Sequence, residues 1–264
     1  MGREDRLSRL VEYIVDKGNV TIDQIVEDFG TSAPTARRDL DALASQQLVT
    51  RTRGGAMANA ATGDVPMRYR VTKNARQKHA IALRALDLVE PGTVVAFNGG
   101  TTTTAIAYEL GILAASDVRF EQSPTTVVTN AINIANDLTV RPQLRIVVLG
   151  GVARSRSYEL IGPLTNLFLP EITIDTLFLG VNALDPKRGV FTHDEGEAAV
   201  NAALVGIAKR TVAVADTSKF SATAFARICA IDAIDAVLTT RDAPADGLRQ
   251  LEAHGVEVIV ADES

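Results

Sequence analysis

The chain has a single cysteine, Cys229, so no disulfide can close within it. Its 3 histidines, His79, His193 and His254, lie too far apart for the paired ligands of a zinc or iron site. No metal and no cofactor are expected. Cys229 sits among apolar neighbours and reads as a small buried hydrophobe, His79 as a surface residue and His193 as part of a loop. Proline is scarce, at 9 residues, and 46% of the 264 residues are hydrophobic. Wholesale disorder is thereby excluded, and there is material for one large domain, or one large and one small. No apolar run approaches the ~18 residues of a membrane span. Positions 1–10 are densely charged where a secretory signal needs an apolar stretch, so a cytoplasmic, reducing setting is expected.

Acidic residues outnumber basic ones, for a net charge of −5. Taken as a whole, that argues against a nucleic-acid partner, but the charges are unevenly spread. Residues 1–56 carry 8 basic and 9 acidic side chains, residues 57–84 carry 6 and 1, and residues 85–264 carry 13 and 22. A polyanion would meet the first third of the chain.

That third reads as three short helices and a hairpin. Leu7, Leu10, Val11, Ile14 and Val15 repeat at helical spacing, and Gly18-Asn19 ends the run. Thr21 with Gln24 forms a capping box for a second helix bearing Ile22, Ile25, Val26 and Phe29, closed by Gly30. Thr31-Ser32 caps a third, which carries Ala36, Leu40 and Leu43 inward and tolerates Pro34 in its first turn. Residues 48–53 and the Gly54-Gly55 turn complete a winged helix-turn-helix over 1–57. Residues 58–74 lack an apolar period and read as a linker. From 75 to 264, β-branched runs alternate with helical stretches, so a larger α/β domain with a mostly parallel sheet is expected.

On the third helix the core direction leaves Pro34, Arg38, Asp41 and Ser45 outward, with Thr35 and Arg37 on the flanks. An outward arginine near a helix start reaches guanine O6 and N7 in the major groove, which makes Arg38 the candidate base reader. Arg37 is better placed for a phosphate. Arg51 and Arg53 share one face of the hairpin, beside the DNA backbone or the minor groove. Ser32, Pro34 and Thr35 at the helix start complete the set facing double-stranded DNA. Adjacent arginines on a surface helix are otherwise merely solvated, and their place in this pattern is what favours the functional reading.

In the larger part, Asn98-Gly99-Gly100-Thr101-Thr102-Thr103-Thr104 follows an apolar strand and runs into a helix. Glycines admit a ligand to the backbone, and a helix start with threonines donates to an anion. A plain cap would also look like this. Three further strand ends gather related chemistry: Thr129-Asn130, Gly150-Gly151, and Asp216 to Lys219. Ligands of open α/β sheets bind beyond the carboxyl ends of the strands, so these turns would line one crevice, with Lys219 as its cation. The Walker lysine and the dinucleotide fingerprint are both missing.

The stretch from Ser32 to Leu40, followed by Arg51 to Ala56, resembles the DNA-binding signature of the DeoR family of bacterial repressors that respond to sugar phosphates. Gly100 to Thr102, Thr129-Asn130, Gly150-Gly151, Asp175 to Gly180 and Asp216 to Phe220 look like that family's effector-domain motifs, in a domain similar to ribose-5-phosphate isomerase. The resemblance implies an operator-binding repressor whose loops hold a phosphorylated sugar with Asp175 at the pocket edge, and the pairing of helix-turn-helix proteins on palindromic sites leads us to expect at least a dimer. Four positions depart from the family pattern. Arg53 replaces the usual histidine, Ala36 a common isoleucine, Asn98 an aspartate and Asn201 a lysine. The similarity also supplies a rival, an aldose–ketose isomerase using Glu197 as base with Asp175 or Lys187 assisting. A basic winged helix has no use in such an enzyme.

Overall fold

The computed structural model describes residues 3–46, 48–58, 66–67, 70–71 and 73–262, and forms two compact units, 1–73 and 74–264. Most of the expected linker, residues 59–65 with 68, 69 and 72, lies outside the described residues.

In the first unit, α1 (Arg3–Lys17) buries Leu7, Leu10, Val11 and Ile14, while Val15 at the edge of the stripe stays exposed. Helix α2 (Ile22–Phe29) opens on the reciprocal box: Gln24 N–H donates to Thr21 Oγ1 at 3.2 Å, and Thr21 N–H donates to Gln24 Oε1 at 2.8 Å. It ends where Gly30 adopts the left-handed conformation, φ 59°, that glycine takes without strain. Helix α3 (Ala33–Ser45) starts at Ser32, whose hydroxyl accepts the Thr35 N–H, and buries Ala36, Leu40 and Leu43. The expected hairpin is present as β2 (Val49–Thr52) and β3 (Gly55–Ala58), with an additional strand, β1 (Asn19–Thr21), pairing antiparallel to β3. Three residues are too few to show alternation, so β1 left no trace in the sequence. Gly55 is required here because a side chain would run into the backbone of Val20 and Thr21.

The second unit runs α4 (Ala75–Leu86), β4 (Val94–Phe97), α5 (Thr101–Ser116), α6 (Val118–Gln122), β5 (Thr125–Thr129), α7 (Ile132–Leu138) and β6 (Leu144–Val148). Next come the β7 (Val152–Ala153) and β8 (Leu160–Ile161) pair, α8 (Pro163–Asn166), β9 (Ile174–Gly180), and the β10 (Ala183–Asp185) and β11 (Gly189–Thr192) hairpin. The chain continues through α9 (Glu195–Ile207), β12 (Ala208–Val214), β13 (Ala226–Cys229), β14 (Ala236–Thr240), α10 (Ala245–Ala253) and β15 (Glu257–Ala261). Seven strands form one sheet in the order β15-β14-β12-β9-β4-β5-β6, every neighbouring pair parallel.

Parallel strands are covered on both faces, which explains their unbroken apolar text. Val95, Phe97, Val127 and Phe178 pack with α4, α5 and α7, whereas Ala96, Val128, Leu177 and Leu179 pack with α9 and its neighbours. The chain leaves β4 towards β5 on one side and β9 towards β12 on the other. Their carboxyl ends therefore bound the topological switch point, where a crevice opens in folds of this kind.

Candidate functional site

In the first unit, α3 presents Ser32, Pro34, Arg37, Arg38, Asp41 and Ser45 to solvent, and Thr35 is half-buried. The Ser32 and Thr35 hydroxyls are bonded to each other at 2.9 Å, so both serve the helix start. Asp39, on the inner side, takes a two-pronged bond from Arg6 of α1, Nε to Oδ2 at 2.6 Å and Nη2 to Oδ1 at 3.2 Å. That bond raises the affinity of the Arg6 guanidinium for its proton and ties the helix bearing Arg37 and Arg38 to α1.

Arg51 does not stand open on the wing. Its guanidinium meets Asp41 at 3.0 Å and donates to the Gly55 carbonyl at 2.7 Å. The pair cancels the acidic side chain that α3 would otherwise turn towards a polyanion. Arg53 is exposed at the tip of the hairpin.

In the second unit, β4 ends at Phe97 and the Asn98 side chain continues its hydrogen bonding as a backbone mimic. Asn98 Nδ2 donates to the Gly180 carbonyl at 2.9 Å, and Oδ1 accepts the Gly180 N–H at 2.7 Å. Asn98, expected to contact a ligand, is thus spent on closing the switch point. Gly100 (φ 147°) then swings the chain into α5, where the first helical bond runs from Thr104 N–H to Gly100 C=O. The N–H groups of Thr101, Thr102 and Thr103 consequently have no acceptor within the helix. The Thr103 and Thr104 hydroxyls turn back to the Gly100 carbonyl, at 3.1 and 2.7 Å, which leaves the backbone N–H groups and the Thr101 and Thr102 hydroxyls as the donors of this turn.

Several other residues expected to meet a ligand make internal bonds. Thr129 Oγ1 donates to the Phe97 carbonyl at 2.7 Å and accepts the Ala131 N–H at 3.0 Å, which ties β5 to β4. The Gly150 carbonyl accepts from Thr165 Oγ1 at 2.6 Å. At Gly151 (φ 146°) a side chain would collide with Thr165 and the Ile161 backbone, so Gly151 serves loop packing, whereas a side chain at Gly150 would meet open space. Asp175 is a correction of position: it lies near the amino end of β9, at the opposite end of the sheet from Gly180. There it accepts the Val94 N–H at 2.8 Å and pairs with Lys209 at 2.7 Å, and these two bonds hold its carboxyl below the usual value. Lys219 faces Asp216. Burial alone would push the Asp216 carboxyl up, yet Lys219, Ser218, Asn74 and Lys78 together hold it below the usual value.

Asn130, at the carboxyl end of β5, is buried in company that the strand-end pattern missed. Its Nδ2 donates to Glu159 Oε2 at 3.2 Å. Glu159 is buried, and burial, reinforced by the charge of Glu197, pushes its carboxyl well above the ordinary range despite bonds from Asn130, Gly99 and Asn201. Glu197 accepts from Arg154 Nη1 at 3.0 Å and from Thr192 Oγ1 at 2.6 Å, and Arg154 Nε also reaches Asp194 at 2.9 Å. Two buried acceptors in this cluster, Asn130 Oδ1 and Asn201 Oδ1, have no hydrogen-bond partner. Arg154 and Glu159 lie in an irregular stretch without periodicity. Glu197 and Asn201 do carry a signal, as polar residues one helical turn apart on the buried face of α9.

A winged helix-turn-helix in one chain with a parallel α/β unit, whose switch point gathers a helix start and buried unpaired acceptors, defines a DNA-binding regulator with a sensor domain. The chain belongs to the DeoR family and is a transcriptional regulator, not an enzyme: residues 6–62 match the DeoR-like helix-turn-helix domain, and residues 73–241 match the DeoR C terminal sensor domain. It is 30% identical over 258 residues to the glycerol-3-phosphate regulon repressor of Escherichia coli K12, covering 98% of this chain and 99% of that one. It is also 31% identical over 256 residues to the HTH-type transcriptional regulator GlpR of Haloferax volcanii, covering 97% and 96%. Among solved structures, ribose 5-phosphate isomerase A of Methanocaldococcus jannaschii aligns at a TM-score of 0.41 and 19% identity, over 56% of this chain and 55% of that one.

Among the described helices none is long and apolar enough to cross a membrane.

Proposed function

We propose that the chain represses genes of sugar metabolism by binding a double-stranded operator, and that a phosphorylated sugar in the crevice of the second unit modulates that binding. Arg38 reads a base and Arg37 a phosphate, with Ser32, Pro34 and Thr35 beside the backbone and Arg53 as the wing cation. The effector's phosphate rests on the N–H groups of Thr101 to Thr103, next to Gly99 and Gly100, and its hydroxyls donate to Asn130 and Asn201. Lys219 adds a cation already shared with Asp216, and so contributes less than the helix start. The repressor acts in the cytoplasm as at least a dimer, because helix-turn-helix proteins pair to match palindromic half-sites.

The observation that carries the sensor reading is the pair of unpartnered amide oxygens, Asn130 Oδ1 and Asn201 Oδ1, around Glu159. A buried acceptor left unpaired costs about 1–3 kcal/mol, and hydroxyl donors of a ligand would relieve it. The name of the E. coli relative ties that protein to glycerol 3-phosphate, so glycerol 3-phosphate belongs in the panel to be tested. Calorimetry with phosphorylated sugars and their dephosphorylated counterparts, together with gel shifts on genomic fragments, tests both halves. The phosphorylated form alone should bind and should change operator affinity. Equal binding of both forms removes the phosphate cradle.

A further inference from the structure

Glu159 comes from the loop joining β7 to β8 and is 2% exposed. It lies against the turn that leads into α5, where a methyl group on Gly99 would stand 2.7 Å from Oε1. The elements packed around it bring Asn130 from the end of β5, the Gly99 amide from the β4–α5 turn, and Asn201 and Glu197 from α9. The guanidinium in this cluster, Arg154, is engaged by Glu197 and Asp194. Three carboxyl groups therefore share the neighbourhood of one arginine, and Glu159 is the one bonded to amides instead of to that cation.

We propose that Glu159 is a specificity-determining residue of the sensor that meets its ligand as a neutral acid. With a phosphate or sulfate dianion on the first turn of α5, the carboxyl is protonated and donates its O–H to a ligand oxygen. Binding then takes up one proton from solvent. The inference rests on the cradle at the start of α5. Its physical basis is that a dianion beside an ionised carboxylate would repel it at close range in a medium that screens poorly, whereas a neutral acid turns the same side chain into a donor. Burial and the neighbouring Glu197 already favour the proton on Glu159, so little is required to hold it there. Affinity is flat below the pKa of the free-state carboxyl and falls tenfold per pH unit above it, because each binding event must then recover the proton.

Sulfate is the probe, since it stays a dianion throughout and any pH dependence belongs to the protein. Calorimetric titration of the full chain from about pH 5.5 to 9, at constant ionic strength, compares wild type with Glu159→Gln, which keeps a donor that does not titrate. Wild type should weaken with rising pH, tenfold for each unit above the pKa of its free-state carboxyl, while Glu159→Gln stays level and within ~threefold of wild type at the acid end. Parallel curves overturn the proposal. Wild-type titrations in two buffers of different ionisation enthalpy give a readout that needs no variant. Uptake approaching one proton at the alkaline end supports the proposal, and no uptake there overturns it. Failure of sulfate to bind either protein at any pH removes the α5 cradle and this inference with it, whereas binding with parallel curves removes only the role of Glu159.

Discussion

Asn98 offers a sharp contrast between a ligand contact and a piece of framework. Both ends of its amide are bonded to Gly180 within 2.9 Å, in a position that is fully buried where β4 stops short of β9. Asn98→Leu keeps the branching at Cγ but leaves the Gly180 N–H and C=O without partners. At about 1–3 kcal/mol for each buried group, less some gain from apolar burial, the loss should be about 2–5 kcal/mol. Asn98→Asp keeps the acceptor and loses the donor, placing a carboxylate oxygen on the Gly180 carbonyl. The repulsion raises the folded-state pKa above the ~3.9 of an unfolded aspartate, so the penalty is complete above the folded pKa and disappears as pH falls below the unfolded one, where the acid O–H can donate to Gly180. Urea unfolding of the full chain, followed by far-UV circular dichroism at several pH values, measures both variants, and hydrogen exchange of the Gly180 amide reports the bond itself. Unchanged stability and exchange in Asn98→Leu, accompanied by loss of the effector's influence on operator binding, would refute the framework reading and return Asn98 to the ligand.

On the operator, Arg38→Ala should cost ~1–3 kcal/mol and relax one base position, whereas Arg37→Ala should weaken all sequences and lower the salt slope by about 1. Binding to specific and random DNA at two salt concentrations separates them, and equal losses on both DNAs for Arg38→Ala would mean the reading face is misassigned. Asp175→Ala should leave the effector response unchanged and cost about 1–2 kcal/mol, because its half-exposed pair with Lys209 adds little while the Val94 N–H loses its acceptor. Its carboxyl lies below the ordinary value in the fold, so that contribution is present at neutral pH and is lost as pH falls through the folded pKa. A melting curve for residues 75–264 expressed alone should be cooperative, and a broad, non-cooperative melt would mean that its core needs the first unit.

How much of this was legible depends on whether a residue acts through periodicity or through convergence. The α3 face could be read because Ala36, Leu40 and Leu43 fix the helix phase, and with it the outward direction of Arg38. The parallel sheet could be read because strands covered on both faces are unbroken apolar runs. The role of Arg51 could not be, since its bond to Asp41 joins two elements 10 residues apart whose approach only the folded wing sets. The strand-end rule gathers Asn130 and the α5 turn together with Thr129 and Gly151, whose contacts hold the strand ends and loops together. Polarity at a strand end marks either a ligand or the closure of the sheet, and the pattern alone does not distinguish them. Asp175 was placed by resemblance, and its position at the amino end of β9 shows how one residue can be carried to the wrong end of a strand. Glu159 had no signal because its loop has no period.

Asn201 connects the family departures to the chemistry of the crevice. A lysine at that position, one helical turn after Glu197, would set an ammonium against the Glu159 carboxyl that Asn201 now meets with an amide. Such a pair would hold Glu159 ionised, and a dianion would then meet a carboxylate already matched by its own cation. With asparagine, Glu159 meets from α9 only an amide and the negative charge of Glu197, and is left to take a proton. Asn201→Lys should therefore lower the Glu159 pKa and flatten the pH dependence of sulfate binding. Its effect on stability should be small, because the attraction in a buried pair is offset by desolvation. The same calorimetric titration decides the outcome, with the unfolding curve as a check that the variant is intact. A folded Asn201→Lys variant whose sulfate affinity falls with rising pH as steeply as that of wild type would show that proton uptake on Glu159 is not governed by the residue facing it.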